Sequence, residues 1–237
     1  MQKLISAALV AGAALAGGVA HAEVSGNIAL TSDYVFRGVN LSDGPAVQGG
    51  FDWTEGQWYA GVWGSSLTEG MELDVYGGWT PSTGPVEWDL GLIGYFYPNA
   101  DDDGAEFDYF EGKIAGSFPV TEQLGVGGAV YYAPENYGDT GEAIYFEANA
   151  AFAFSDTVSF SGAFGNQSIE DPDGGPGGAD EDDYNTWNLG GTFAMHGFSI
   201  DLRYHDTDID AGSDIENYTT GEDSYDSAVV ATISREL

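Results

Sequence analysis

The chain contains no cysteine, and only five lysines and arginines stand against 39 aspartates and glutamates. Without cysteine there is no disulfide, no thiolate nucleophile and no cysteine-bearing metal site. A formal net charge of −34 excludes nucleic-acid binding through phosphate contacts, because almost nothing is present to neutralise them. Such acidity either keeps a chain soluble, for instance in a salty habitat, or attracts cations. Long apolar runs are missing too. Beyond the first residues, nothing approaches the roughly 18 apolar residues that a membrane-spanning helix needs. If the chain enters a bilayer it must do so as a closed barrel, the other structure that satisfies its own backbone hydrogen bonds there.

The beginning reads as a leader. Lys3 gives a positive start, Leu4 to Val19 an apolar run, and Ala20-His21-Ala22 a small-residue cleavage site before Glu23. Residues 1–22 are therefore expected to be a secretory signal peptide. Residues 23–237 then remain for one large all-β domain.

That domain is organised around Thr31 to Trp53, which reads as a strand, a turn region and a returning strand. Ile28, Leu30, Tyr34 and Phe36 share one face of the first arm; Asn27, Thr31, Asp33 and Arg37 share the other. In the second arm Val47, Phe51 and Trp53 oppose Gln48 and Asp52. Gly38 to Pro45 between them holds Asn40, Ser42, Asp43 and Gly44, which favour turns. The same rhythm predicts twelve strands: Val24 to Arg37, Ala46 to Thr54, Gln57 to Leu67, Met71 to Thr80, Val86 to Tyr97, Ala105 to Phe118, Leu124 to Ala133, Glu142 to Phe154, Val158 to Ser168, Tyr184 to Ala194, Phe198 to His205 and Ser224 to Leu237. Proline cannot donate to a ladder, and all eight prolines fall in or beside the connections.

The connections alternate between short turns and longer loops rich in Gly, Pro and Asp, with Thr68 to Gly70 the one exception. An even strand count with that alternation is the pattern of an outer-membrane barrel. A soluble, lipocalin-like barrel also alternates, with its apolar face inward. Three features favour the membrane version. The strands have the length of a tilted bilayer crossing, the chain ends inside its last strand, and aromatics recur near strand ends. Tyr34, Trp53, Trp58, Trp79, Trp88, Tyr97, Tyr131, Tyr204 and Tyr225 are the expected interfacial girdle.

The segments SDYVFRG, SDG, PAVQGGFDW, WYAGVWGS, ELDVYGGW and WDLGLIGYFYP, in order from Ser32 to Pro98, resemble the TorF-type porin family of Gram-negative outer-membrane proteins. The resemblance implies a signal-bearing outer-membrane barrel with pore function, and brings no catalytic or ligand residues with it. Barrels of this kind commonly end on an aromatic residue, whereas this chain ends Ser234-Arg235-Glu236-Leu237, with Arg235 on the face of Ile233.

If the apolar face meets lipid, the opposite face lines a lumen. Its candidates are Asp33, Arg37, Asp52, Glu72, Asp74, Glu87, Asp89, Glu147, Asp201, Arg203 and Asp226. Carboxylates in surplus over two arginines predict local ion pairs and a preference for cations. Asp206, Asp208 and Asp210 superficially match an oxygen-rich calcium loop, but glycine falls at position seven and Asn217 at twelve. A solvated acidic fringe on the lipopolysaccharide side is the plainer reading. His205 beside that cluster allows a His-Asp pair, yet nothing fixes a nucleophile, so no enzyme and no cofactor are expected. The sequence thus predicts a twelve-stranded antiparallel transmembrane barrel with periplasmic termini, a passive pore for small hydrophilic solutes or ions. A closed structural or surface-interaction barrel is the alternative.

Overall fold

The computed structural model describes residues 22–98, 106–172, 182–210, 213, 215 and 224–237. Twelve long strands make up its wall: β1 (Glu23–Thr31), β4 (Ala46–Glu55), β5 (Trp58–Ser66), β6 (Met71–Trp79), β8 (Val86–Phe96), β9 (Tyr109–Pro119), β10 (Leu124–Ala133), β11 (Ala143–Ala153), β12 (Val158–Ile169), β13 (Asp182–Met195), β14 (Phe198–Thr207) and β15 (Ala228–Glu236). Three two-residue strands complete the order: β2 (Val35–Phe36), β3 (Val39–Asn40) and β7 (Ser82–Thr83). Each long strand pairs antiparallel with its sequence neighbour on the wall. The ring closes where β1 meets β15, from Asn27 opposite Glu236 to Thr31 opposite Thr232. Closure leaves no sheet edge for another strand to pair with.

Alternation sorts the side chains. Ile28 and Leu30 are each 50% exposed, Phe51 61% and Leu92 69%, and all point away from the barrel axis. Their strand neighbours Asp52, Tyr76, Asp89 and Glu111 point in, where they bond one another or the rings beside them. An apolar outer wall around a polar interior is the inverse of a soluble barrel, and it fits a hydrocarbon surrounding. Among the described residues no helix is long and apolar enough to cross a membrane. The expected leader, residues 1–22, lies outside the described residues except for Ala22.

Both ends of the wall follow the predicted alternation. Tight turns at residues 56–57, 80–85, 120–123, 154–157 and 196–197 share one end with the beginning of β1 and the end of β15; the longer connections share the other, together with the short link at 67–70. His196 and Gly197 both take positive φ, 52° and 82°, as a two-residue hairpin between paired Met195 and Phe198 requires. At this tight-turn end Trp58 and Trp79 stack outside the wall, ring centroids 6.1 Å apart, and Trp88 is exposed near them. Arg235 rests its guanidinium over Phe198 at 5.1 Å.

The predicted first strand does not run through to Arg37. β1 stops at Thr31, whose hydroxyl donates to the Asp33 carbonyl at 2.8 Å. The chain then turns off the wall as a separate hairpin of β2 and β3. Its two-residue turn is Arg37-Gly38, with φ of 47° and 88°. An Arg-Gly turn hides from sequence reading because the expected signal is Asn-Gly or Asp-Gly. Tyr34 and Phe36 consequently leave the lipid-facing set. Tyr97, Tyr131 and Tyr225 leave the girdle as well: Tyr97 bonds Glu72 at 2.8 Å, Tyr131 stacks on Arg37, and Tyr225 is buried.

Candidate lumen site

The hairpin that leaves β1 crosses the lumen. Tyr34 meets Trp63 of β5 edge-on at 5.5 Å and donates its hydroxyl to Glu72 of β6 at 2.6 Å. Phe36 lies against Tyr95 of β8, with centroids 5.9 Å apart. Gly38, at the tip, sits so close to Thr186 of β13 and Thr207 of β14 that any Cβ there would run into both. Above the tip, Asn40 donates its backbone N–H to the Ser224 carbonyl at 2.6 Å. Val39 joins a buried apolar cluster with Tyr95, Tyr109, Ala133, Ala143, Ile169 and Tyr184.

Arg37 anchors this segment. Its guanidinium grips Glu111 of β9 through two hydrogen bonds of 2.7 and 2.8 Å and Gln167 of β12 through one of 3.0 Å. Three rings surround it, Phe36 at 4.8 Å, Tyr131 of β10 at 4.9 Å and Tyr145 of β11 at 4.4 Å. Glu111 is 1% exposed and also accepts from the Tyr95 hydroxyl at 3.0 Å. A guanidinium is weakly hydrated and planar, which suits it to a buried bidentate pair between aromatic faces. With this one side chain the hairpin reaches four consecutive strands on the side of the barrel opposite β1.

The remaining interior charges tie the wall to itself. Lys113 of β9 donates to Asp89 of β8 at 2.6 Å, and Asp89 also accepts from Tyr59 at 2.7 Å. Arg203 of β14 bonds Asp201 twice at 3.1 Å, Asn188 at 2.8 Å, and the hydroxyl and carbonyl of Ser161 at 2.9 and 3.4 Å. All five of its N–H donors are thereby engaged. Asp52 accepts from Tyr76 at 2.6 Å, an approach open because Tyr76 lies over Gly61, where a Cβ would strike its ring. Glu147 accepts from Asn149 at 2.9 Å and from Tyr145 at 3.3 Å.

Every lysine and arginine that faces the lumen among the described residues is therefore paired with a carboxylate, while Asp52, Glu72, Asp74 and Glu147 have no such partner. Asp74 is 9% exposed and its Oδ1 has no hydrogen-bond partner. Burial of a carboxylate in this condition is costly. Asp33, in the stalk of the hairpin, accepts from Asn40 at 3.3 Å. Glu87 is exposed near the tight-turn mouth, and Asp226, expected in the lumen, is exposed in the connection before β15. That connection runs on to Ser227, so the last strand begins at Ala228 and alternation does not govern Asp226.

Two charged lumen residues escaped the sequence reading, Glu111 and Lys113. The signal was present, because Phe110, Ile114 and Phe118 alternate outward along β9 and leave Tyr109, Glu111 and Lys113 facing in. The proposed calcium residues have structural partners. Asp206 accepts from Tyr204 at 2.6 Å, and Asp208 accepts from the backbone and side-chain nitrogens of Asn185 at 2.6 and 2.7 Å. Asp210 accepts from the backbone of Ser213 at 3.1 Å through its carbonyl. Gly212 and Asn217 lie outside the described residues, and so do Asp173, Asp180, Glu181, Asp214, Glu216, Glu222 and Asp223 of the acidic loops. Among the described residues no three acidic or histidine side chains are grouped for a metal ion.

A closed twelve-stranded wall, apolar outside and polar within, has the class of fold seen in outer-membrane β-barrels. Within it, the chain belongs to the family described as "Bacterial protein of unknown function (Gcw_chp)", whose sequence model matches residues 15–237. The fold is similar to that of the NanC porin, with 11% identity and a TM-score of 0.56 over 88% of this chain and 97% of the other. It is also similar to the KdgM porin, solved in complex with disordered oligogalacturonate, at 6% identity and a TM-score of 0.53 over 90% and 98%. Salmonella typhi OmpF, solved in complex with daunomycin, gives 8% identity and 0.52 over 92% and 98%. No curated protein matches the chain in sequence.

Proposed function

We propose that the protein is a TorF-type outer-membrane porin, a passive and non-enzymatic channel for small hydrophilic solutes or ions with a preference for cations. The observation that carries this reading is the charge balance of the interior. Three bases are each consumed by a carboxylate, and Asp52, Glu72, Asp74 and Glu147 remain unmatched. Excess carboxylate in a lumen favours cations. Twelve strands enclose less space than the sixteen or eighteen of wide porins, and the crossing hairpin narrows that space further. On this reading residues 1–22 are a cleaved leader, the tight-turn end with both termini is periplasmic, and the acidic connections face lipopolysaccharide.

The test is single-channel recording of the refolded mature protein under a KCl gradient. Conductance steps with a cation-biased reversal potential are expected, with the bias falling in the combined Asp52→Asn, Glu72→Gln and Asp74→Asn variant. An unbiased reversal potential overturns the cation preference. Silence from protein shown to be folded by heat-modifiable gel mobility overturns the channel. The hairpin across the lumen favours a second reading for that outcome, a closed structural barrel.

A further inference from the structure

The hairpin does not fill the lumen evenly. Its tip is drawn to β9 through β12, and on the opposite side a cavity of about 220 Å³ remains, walled by β1, β4, β5, β14, β15 and the hairpin stalk. Its chemistry comes from Asp33, Tyr34, Gln48, Trp63, Arg203 and His205. The volume lies below the roughly 300 Å³ at which drug-sized ligands begin, so an occupant is small.

The polar groups in this wall are unequal in what they have left to give. Arg203 spends all five donors on Asp201, Asn188 and Ser161, and Asp201 spends both oxygens on Arg203 and Thr192. The hydroxyls of Thr31 and Thr232 bond each other at 2.8 Å, and the Tyr34 hydroxyl is committed to Glu72. Gln48 gives its amide nitrogen to Ser65 at 3.3 Å and keeps its carbonyl. Asp33 has one contact, from Asn40 to Oδ1 at 3.3 Å, so Oδ2 remains. The unspent acceptors are the Asp33 carboxylate, the Gln48 carbonyl and an imidazole nitrogen of His205; the second amide N–H of Gln48, the indole N–H of Trp63 and the other His205 nitrogen remain as neutral polar groups, so Asp33 brings the one formal charge in this lining without an ion-pair partner. Beside them stand the rings of Trp63 and Tyr34, and ring faces attract cations.

We infer that this cavity binds a small solute bearing a primary ammonium group. The ammonium donates to Asp33, Gln48 and His205, and its short alkyl part lies against Trp63. A carboxylate of the same size meets the unpaired charge of Asp33 and finds no free cation, because Arg203 is held by Asp201. This inference rests on the channel reading for the route by which the solute reaches the cavity.

Calorimetry on the detergent-folded mature protein tests it with three probes of one size, propylammonium, propionate and propanol. Propylammonium is expected to bind, and propionate and propanol to give no heat above dilution. Asp33→Asn should weaken propylammonium binding about tenfold, the worth of one hydrogen bond to a charged group. Gln48→Lys sets a tethered ammonium in the cavity and should abolish binding, while gel mobility reports that both variants fold. Equal binding of propionate, no binding of propylammonium to folded wild type, or wild-type binding by both variants overturns the site. Bilayer recordings separate the two readings. Conductance without propylammonium binding overturns the site and leaves the channel, whereas binding without conductance supports the site and overturns the channel.

Discussion

Two arginines inside this barrel have similar donors and opposite consequences. Arg203 finds its partners on β12, β13 and β14, so it laces three adjacent strands into one surface and leaves the space in front of them empty. Arg37 finds its partners across the lumen from the strand that carries it, on β9 and β12, and so pulls a hairpin over half of the interior. An interior charge stiffens a barrel when its partners are wall neighbours. It partitions the barrel when they are not.

The strongest way to break this contrast is Arg37→Ala. It leaves Glu111 buried without its cation, at a cost of about 3–5 kcal/mol for removing one partner of a buried pair. The hairpin should undock and single-channel conductance should rise several-fold. Arg203→Ala, the matching loss on the wall, should leave conductance within about twofold while lowering stability by about 2 kcal/mol, read from urea unfolding in detergent. If both variants open the channel alike, the distinction fails.

A milder perturbation approaches the same hairpin through its backbone. Gly38→Ala puts a Cβ into Thr186 and Thr207 at a φ of +88°, a strain of about 1–3 kcal/mol. It should increase the frequency of open events without the full gain of Arg37→Ala. The smallest effect belongs to Tyr76→Phe, which removes the donor to Asp52 on the wall away from Arg37. A loss of about 1 kcal/mol and an unchanged open frequency are expected. A large rise in open frequency would instead connect the wall tyrosines to the hairpin.

The barrel was legible in the sequence because its determinants are local. Alternation, turn residues and proline positions all report on a strand and its next neighbour, and they place Ile28, Phe51, Leu92 and Ile233 outside without reference to the rest. The inward turn of Tyr34 to Ser42 was not legible, since Val35-Phe36 and Val39-Asn40 alternate as well as any wall strand. What removes them from the wall is a distant set of partners, Glu111, Gln167 and the rings between, and no local pattern names those. Asp33 and Arg37 were accordingly assigned to the right interior with the wrong support. Glu111 and Lys113 were readable from the parity of β9, and their mutual spacing gives no hint that one grips the hairpin and the other the wall.

The span between Arg37 and its partners also orders assembly. Glu111 lies 74 residues along the chain from Arg37 and Gln167 lies 130 residues away, so the clamp has no jaws until β9 and β12 both stand in the wall across the lumen from β1. A barrel that closes before the clamp forms is expected to pass through a stage in which its interior is undivided. Docking of the hairpin is therefore expected late in folding. Conductance recorded during refolding should begin high and settle lower as each molecule completes itself.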